Sequence, residues 1–195
     1  MKKILLIIAL AFCIFQMVVL ATAIDIGSPA IDRTDSVGDR TLIEAANPAN
    51  ASGILTSVEI YVAVAMTGVE IATFYSTGTN QFSTRDYVTI GNATVGHHQY
   101  DVELDVEVGD YLGMFFVTGE LDRNSDAGTF YWYDNTDPRD QIPCTDAVFY
   151  KTSGETYTNS LYGTGTTAVG WDHKWNTVTI GKWNTKEFIK WNDLE

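Results

Sequence analysis

Hydrophobic and polar residues alternate with a period of two along much of this chain, which predicts β-strands rather than helices. In ILTSVEIYVAVA, one predicted face carries Ile54, Thr56, Val58, Ile60, Val62 and Val64. In YDVELDVEV, the apolar face carries Tyr100, Val102, Leu104, Val106 and Val108, and the opposite face carries Asp101, Glu103, Asp105 and Glu107. The acidic face is expected to be solvated and to keep this strand from pairing with another chain.

The segments that follow complete an all-β pattern. Gly109-Asp110 is expected to turn the chain into YLGMFFVTG, which is apolar on both faces, as a central strand would be. A turn at Thr67-Gly68, and the short segments EIATFY, RDYVTIG, TFYWY, AVFY and TNSLYG, supply further strands. About eight to ten strands without helices predict an antiparallel two-sheet sandwich, most simply a jelly roll.

The stretch DVEVGDYLGMFF resembles the strand, Gly-Asp turn and strand of secreted jelly-roll modules. Such modules include carbohydrate-binding modules and C1q/TNF-like domains. The resemblance is one of architecture over about a dozen residues. It implies a jelly-roll fold and assigns no ligand-contacting residue.

The N-terminus has the pattern of a secretory signal peptide. A basic start at Lys2-Lys3 precedes an apolar run from Ile4 to Leu20, and Ala21-Thr22-Ala23 is a small-residue cleavage site. We therefore expect residues 1–23 to be removed and the protein to be secreted or held at the cell surface. If the signal peptide were not cleaved, it would anchor the protein in the membrane. The jelly roll is expected over residues 24–168, followed by a tail over residues 169–195.

Charge and cysteine content narrow the possible partners. The formal net charge is −13, and without Lys2 and Lys3 ten basic side chains face 25 acidic ones, a net charge of about −15. Such a surface repels a phosphate backbone, so nucleic acid is not an expected partner. Cys13 leaves with the signal, so Cys144 has no partner for an internal disulfide, and we expect it to be a buried small residue.

The segment LDRNSDAG is the candidate metal site. Asp122, Asn124 and Asp126 alternate, so their oxygen atoms could surround a hard cation such as Ca²⁺. It is not an EF-hand, since Ala127 and Tyr133 occupy the places of the required Gly and Glu. The competing interpretation is a polar hairpin loop in which Asn and Asp serve as turn residues.

The segment TFYWYDN is the candidate ligand site. Alternation places Tyr131 and Tyr133 on one face and Phe130 and Trp132 on the other. We expect Tyr131, Trp132 and Tyr133 to supply an aromatic platform that stacks on sugar rings, unless both faces are buried in the core. No catalytic template is present, although a glycosidase needs only two carboxylates, and the sequence does not select a pair.

The last residues form a Lys-Trp-Asn repeat. Trp175, Trp183 and Trp191 are eight residues apart, an even spacing that puts them on one face of an extended chain. We expect a β-structured tail that packs on its own sandwich or adds as a strand to a neighbour's sheet, with at least one of these tryptophans buried.

The sequence is compatible with three functions. The first is an exported, non-catalytic module that binds a polysaccharide or surface glycan and holds a structural Ca²⁺. The second is a structural subunit of an extracellular or virion-like assembly that self-associates through the tail. The third is a glycoside-active enzyme whose carboxylate pair is unidentified.

Overall fold

The computed structural model describes residues 21–125, 130–134, 139–152 and 157–167, and residues 22–167 form one compact unit. These residues contain no helix. Their strands are β1 Ala23–Ser28, β2 Asp35–Gly38, β3 Leu42–Glu44, β4 Gly53–Gly78, β5 Gln81–Ala93, β6 Gly96–Val106, β7 Tyr111–Phe115, β8 Thr118–Asn124, β9 Tyr131–Tyr133, β10 Ala147–Val148, β11 Tyr150–Lys151, β12 Thr158–Asn159 and β13 Leu161–Thr167. The predicted all-β, antiparallel fold is confirmed, and the sheet is not closed.

Strand β4 organises the sheet because its two halves have different neighbours. The N-terminal half pairs with β13 and β6, and β13 pairs in turn with β1; β8 and β2 continue this part, which we call the first arm. The C-terminal half lies between β5 and β7, and β3, β9 and β11 follow β7 to form the second arm. The turn predicted at Thr67-Gly68 is therefore wrong, since Gly68, with a φ of 60°, lies inside one continuous 26-residue strand.

Two register shifts in β4 change which side chains are buried. The pairing of β4 with β6 shifts between Leu55 and Ser57, so Leu55 is buried and Thr56 is exposed, contrary to simple alternation. After this bulge, Val58, Ile60 and Val62 are buried as predicted. A further irregularity follows Val62, and Val64 is 48% exposed. A bulge adds one residue to one strand and thereby reverses the alternation.

Apolar side chains from both arms meet in one core, whose members include Ile26, Val58, Leu104, Ile71 and Met114. A second apolar cluster lies on the second arm and is rich in aromatic rings. It comprises Ile43, Ala72, Phe74, Phe82, Phe115, Trp132, Ile142 and Phe149. The segment 139–149 supplies the last two and hydrogen-bonds to β5, so this arm has apolar packing beyond the shared core.

The Gly-Asp turn between β6 and β7 forms as predicted. Gly109 has a φ of 90°, which favours glycine, and Asp110 is 3% exposed. The Asp110 carboxylate accepts hydrogen bonds from the Arg85 side chain and from the Glu107 amide. The acidic face before it is solvent-accessible, with Asp101 and Glu103 exposed, whereas Val108 lies beyond the strand and is 66% exposed.

Candidate functional site

The predicted aromatic segment forms the short strand β9, and its side chains alternate across the sheet as expected. Tyr131 belongs to the main core and is 2% exposed, while Trp132 belongs to the second cluster and is 9% exposed. The Trp132 ring centroid lies 4.7 Å from that of Phe82, and its Nε1 donates a 2.9 Å hydrogen bond to Asn80. Tyr131 and Trp132 therefore pack inside the fold, and neither ring forms an exposed platform.

Tyr133 is only partly buried, and β11 places a further tyrosine beside it. Tyr150 pairs with Tyr133 across the two strands, and their ring centroids are 6.0 Å apart. On the inner side, Tyr131 lies 5.9 Å from Tyr133, and Tyr157 lies 5.5 Å from Tyr131. We call Tyr157, Tyr131, Tyr133 and Tyr150 the tyrosine row. It runs from the core to Tyr150, which is 55% exposed.

Two arginines from neighbouring strands flank this row. Arg123 on β8 stands 4.6 Å from the centroid of the Tyr157 ring and donates a 2.9 Å hydrogen bond to the Tyr131 hydroxyl. Arg40, in the turn between β2 and β3, stands 5.6 Å from the centroid of the Tyr133 ring. Burial raises the pKa of Tyr131, although the Arg123 and Arg40 guanidinium groups oppose the rise. Because the pKa of Tyr131 is raised, its hydroxyl stays protonated at neutral pH.

The outer end of the row can bind a ligand by two kinds of contact. The Tyr150 ring offers an apolar surface at the edge of the sheet, where a sugar ring could stack. Arg40 offers guanidinium N–H donors over the neighbouring Tyr133 ring, and within the described part of the chain only its Nε is engaged, by the Gly38 carbonyl at 3.3 Å. Sequence reasoning identified Tyr133 but missed Tyr150 and Arg40, because neither lies near it in the chain.

The predicted metal residues are only partly brought together. Asp122 is 5% exposed, and its carboxylate accepts a 3.1 Å hydrogen bond from the Arg33 amide. Burial and the neighbouring Asp32 carboxyl raise the pKa of Asp122. Asn124 pairs with Thr158, and Asp126 lies outside the described residues. Among residues that the structure describes, no group of three His, Cys, Asp or Glu side chains could hold a metal ion.

A second buried carboxyl group, that of Glu44, accepts hydrogen bonds within the fold. Glu44 is 1% exposed and accepts hydrogen bonds from the Ala46 amide at 3.0 Å and from the amide and side chain of Asn159 at 2.9 and 2.8 Å. Burial raises the pKa of Glu44. Because three N–H groups hold this carboxyl in place, it locks β3 to residue 159. Burial likewise raises the pKa of the half-buried Cys144 thiol, which disfavours the thiolate.

A second accessible surface lies on the first arm, where polar side chains satisfy one another across the strands. His97 contacts Glu59 at 3.0 Å, and Gln99 donates a 2.9 Å hydrogen bond to Ser57. Tyr162 donates to Asp25 at 3.4 Å. Because these side chains bond to one another, whereas Tyr150 is 55% exposed at the end of the tyrosine row, we place the candidate site at the tyrosine row.

The predicted tail, with Trp175, Trp183 and Trp191, lies outside the described residues. Within the residues that are described, no helix is long and apolar enough to cross a membrane. No protein-family model matches this chain, and no curated protein or solved structure is significantly similar to it.

Proposed function

We propose that this protein is an exported, non-catalytic module that binds carbohydrate at the outer end of the tyrosine row. In this proposal the two arms of the sheet form a sandwich of the jelly-roll type, and β11 presents the ligand-binding edge. The observation that carries the proposal is the exposed Tyr150 ring beside Tyr133, together with the Arg40 guanidinium over the Tyr133 ring.

The chemistry of these groups matches that of a sugar ring. One side of a pyranose carries C–H groups that pack on an aromatic ring, and its rim carries hydroxyls that accept hydrogen bonds from guanidinium N–H groups. The aromatic rings of the row support one another, so Tyr150 loses little freedom when a ligand binds. Burying the exposed part of this ring should contribute on the order of 1–2 kcal/mol to binding.

The proposal is tested with a glycan array followed by calorimetry on the purified protein. Wild type should bind a defined set of polysaccharides, and Tyr150→Ala should weaken that binding about tenfold, as expected for a loss of about 1.4 kcal/mol. Tyr87→Ala is the matched control, since Tyr87 is 43% exposed on β5 and lies outside the row. Absence of binding to every glycan, or equal binding by wild type and Tyr150→Ala, would refute the proposal.

A further inference from the structure

Cation–π stacking of arginine on tyrosine recurs in this protein, and in two instances a carboxylate completes the arrangement. Arg85 stands 4.9 Å from the centroid of the Tyr75 ring, and its guanidinium is bound by the buried Asp110. Arg123 stacks on Tyr157, and its Nε donates a 3.0 Å hydrogen bond to Asp35. Both guanidinium groups therefore have their charge neutralised inside the fold.

Arg40 repeats the stacking geometry without the carboxylate. In the part of the chain that the structure describes, no acidic side chain forms an ion pair with it. Its one hydrogen bond to a described residue, that to the Gly38 carbonyl, engages Nε and not the two terminal nitrogens. Tyr133 is the shared neighbour of the Arg40 guanidinium and of the Tyr150 ring, and its stacking contact orients the planar group of Arg40 before any ligand arrives.

The acidic residues closest in sequence to Arg40 are already engaged. Asp39 accepts a 2.8 Å hydrogen bond from Arg139, and Asp35 accepts the bond from Arg123. In a chain with 25 acidic and only 12 basic residues, a stacked arginine that pairs with none of the described carboxylates is unexpected. A guanidinium binds a carboxylate by two parallel N–H···O bonds, which are stronger than bonds to neutral hydroxyls.

We infer that the carbohydrate bound at the tyrosine row carries a carboxylate, as a uronic acid does, and that Arg40 binds this group while the sugar ring stacks on Tyr150. The inference rests on the proposed function and adds the chemical class of the sugar. It assigns Arg40 as the residue that selects acidic over neutral sugars. At about 0.15 M salt the Debye length is about 8 Å, so the remaining acidic surface is largely screened while the direct Arg40 contact is not.

The test compares one sugar backbone with and without its charge. Oligogalacturonates and oligoglucuronates are titrated into the protein by calorimetry, and their methyl esters serve as neutral counterparts. Wild type should bind the acid of at least one pair about tenfold more tightly than its ester, as expected for hydrogen bonds to a charged group. Arg40→Gln should abolish this preference, and Arg40→Lys should retain only part of it, since an ammonium group cannot form the two parallel bonds.

Arg139→Gln is the matched control. Arg139 is an exposed arginine whose charge is neutralised by Asp39, and its replacement should leave the preference unchanged. Circular dichroism and the melting temperature show whether each variant is folded. Equal affinity of wild type for acids and esters, or a preference that survives in Arg40→Gln, would overturn the inference while the proposed function stands. If no glycan of either form or on the array binds, both fail.

Discussion

The pairing of Arg85 with Asp110 should be among the strongest polar interactions in the fold, and a double-mutant cycle can measure it. Asp110 directly precedes β7, whereas Arg85 lies on β5. The Asp110 side chain is 4% exposed and that of Arg85 is 21% exposed. The pair therefore joins the turn after β6 to a strand of the second arm in a largely water-excluded setting.

The expected magnitude follows from the contacts that are lost. Asp110→Ala removes two hydrogen bonds from Arg85 and one from the Glu107 amide, the latter 2.8 Å long. Removing one partner of a fully buried ion pair costs about 3–5 kcal/mol, and partial access of water to Arg85 lowers this to about 2–4 kcal/mol. The coupling energy between Arg85→Ala and Asp110→Ala should be about 1–3 kcal/mol.

The assay is urea unfolding of wild type, both single variants and the double variant, at low and at high salt. The Arg139–Asp39 pair is the control, because its side chains are 47% and 49% exposed. Its coupling should be about 0–1 kcal/mol and should decrease with salt, whereas that of Arg85 and Asp110 should change little. A coupling below about 0.5 kcal/mol for the buried pair, or the same salt dependence for both, would refute the reasoning.

Three further predictions concern stability. Burial raises the pKa of Glu44, so the folded state holds the proton of this carboxyl more tightly than the unfolded state does. The free energy of unfolding of wild type, minus that of Glu44→Gln, should therefore fall as the pH rises through the raised pKa. A difference that stays constant between pH 4 and 8 would contradict this prediction. Gly119→Ala should cost about 1–3 kcal/mol, since φ is 101° and a Cβ would overlap the Ala65 carbonyl. Gly38→Ala, with open space around it, should cost about 1 kcal/mol or less and serves as its control in thermal unfolding. Phe149→Ala should cost about 3–5 kcal/mol in urea unfolding, because this 2% exposed ring fills the second cluster; a loss below 1 kcal/mol would show that segment 139–149 contributes little.

The alternation of the sequence predicted the strands well wherever the pairing is regular. Leu104 and Val106 are buried and Asp101 and Glu103 are exposed, as the pattern of β6 indicates. The prediction was wrong at Thr56 and at Val64, where the pairing of β4 shifts register. A bulge adds a residue without a distinctive composition, so the change of phase was not visible in the sequence.

The site was harder to predict because it is assembled from distant parts of the chain. Sequence alternation correctly separated Tyr131 and Tyr133 from Trp132, but it did not show that both faces of β9 are covered. Tyr150 comes from a two-residue strand, and Arg40 from a turn more than ninety residues before Tyr133. Only the pairing of β9 with β11 and the position of the β2–β3 turn bring them together.

The distribution of positive charge supports the proposed site at this end of the sheet. Residues 24–167 contain six basic side chains, and most of them have a structural partner. Arg33 donates hydrogen bonds to Ser160 and Pro29, and Lys151 lies over the Phe130 ring. Three arginines donate to aspartates: Arg85 to Asp110, Arg123 to Asp35 and Arg139 to Asp39. In a strongly acidic fold, an unpaired arginine would ordinarily find a carboxylate at little cost. The stacked Arg40 has none among the described residues, and its position over Tyr133, the neighbour of the exposed Tyr150, favours the proposed ligand as its partner.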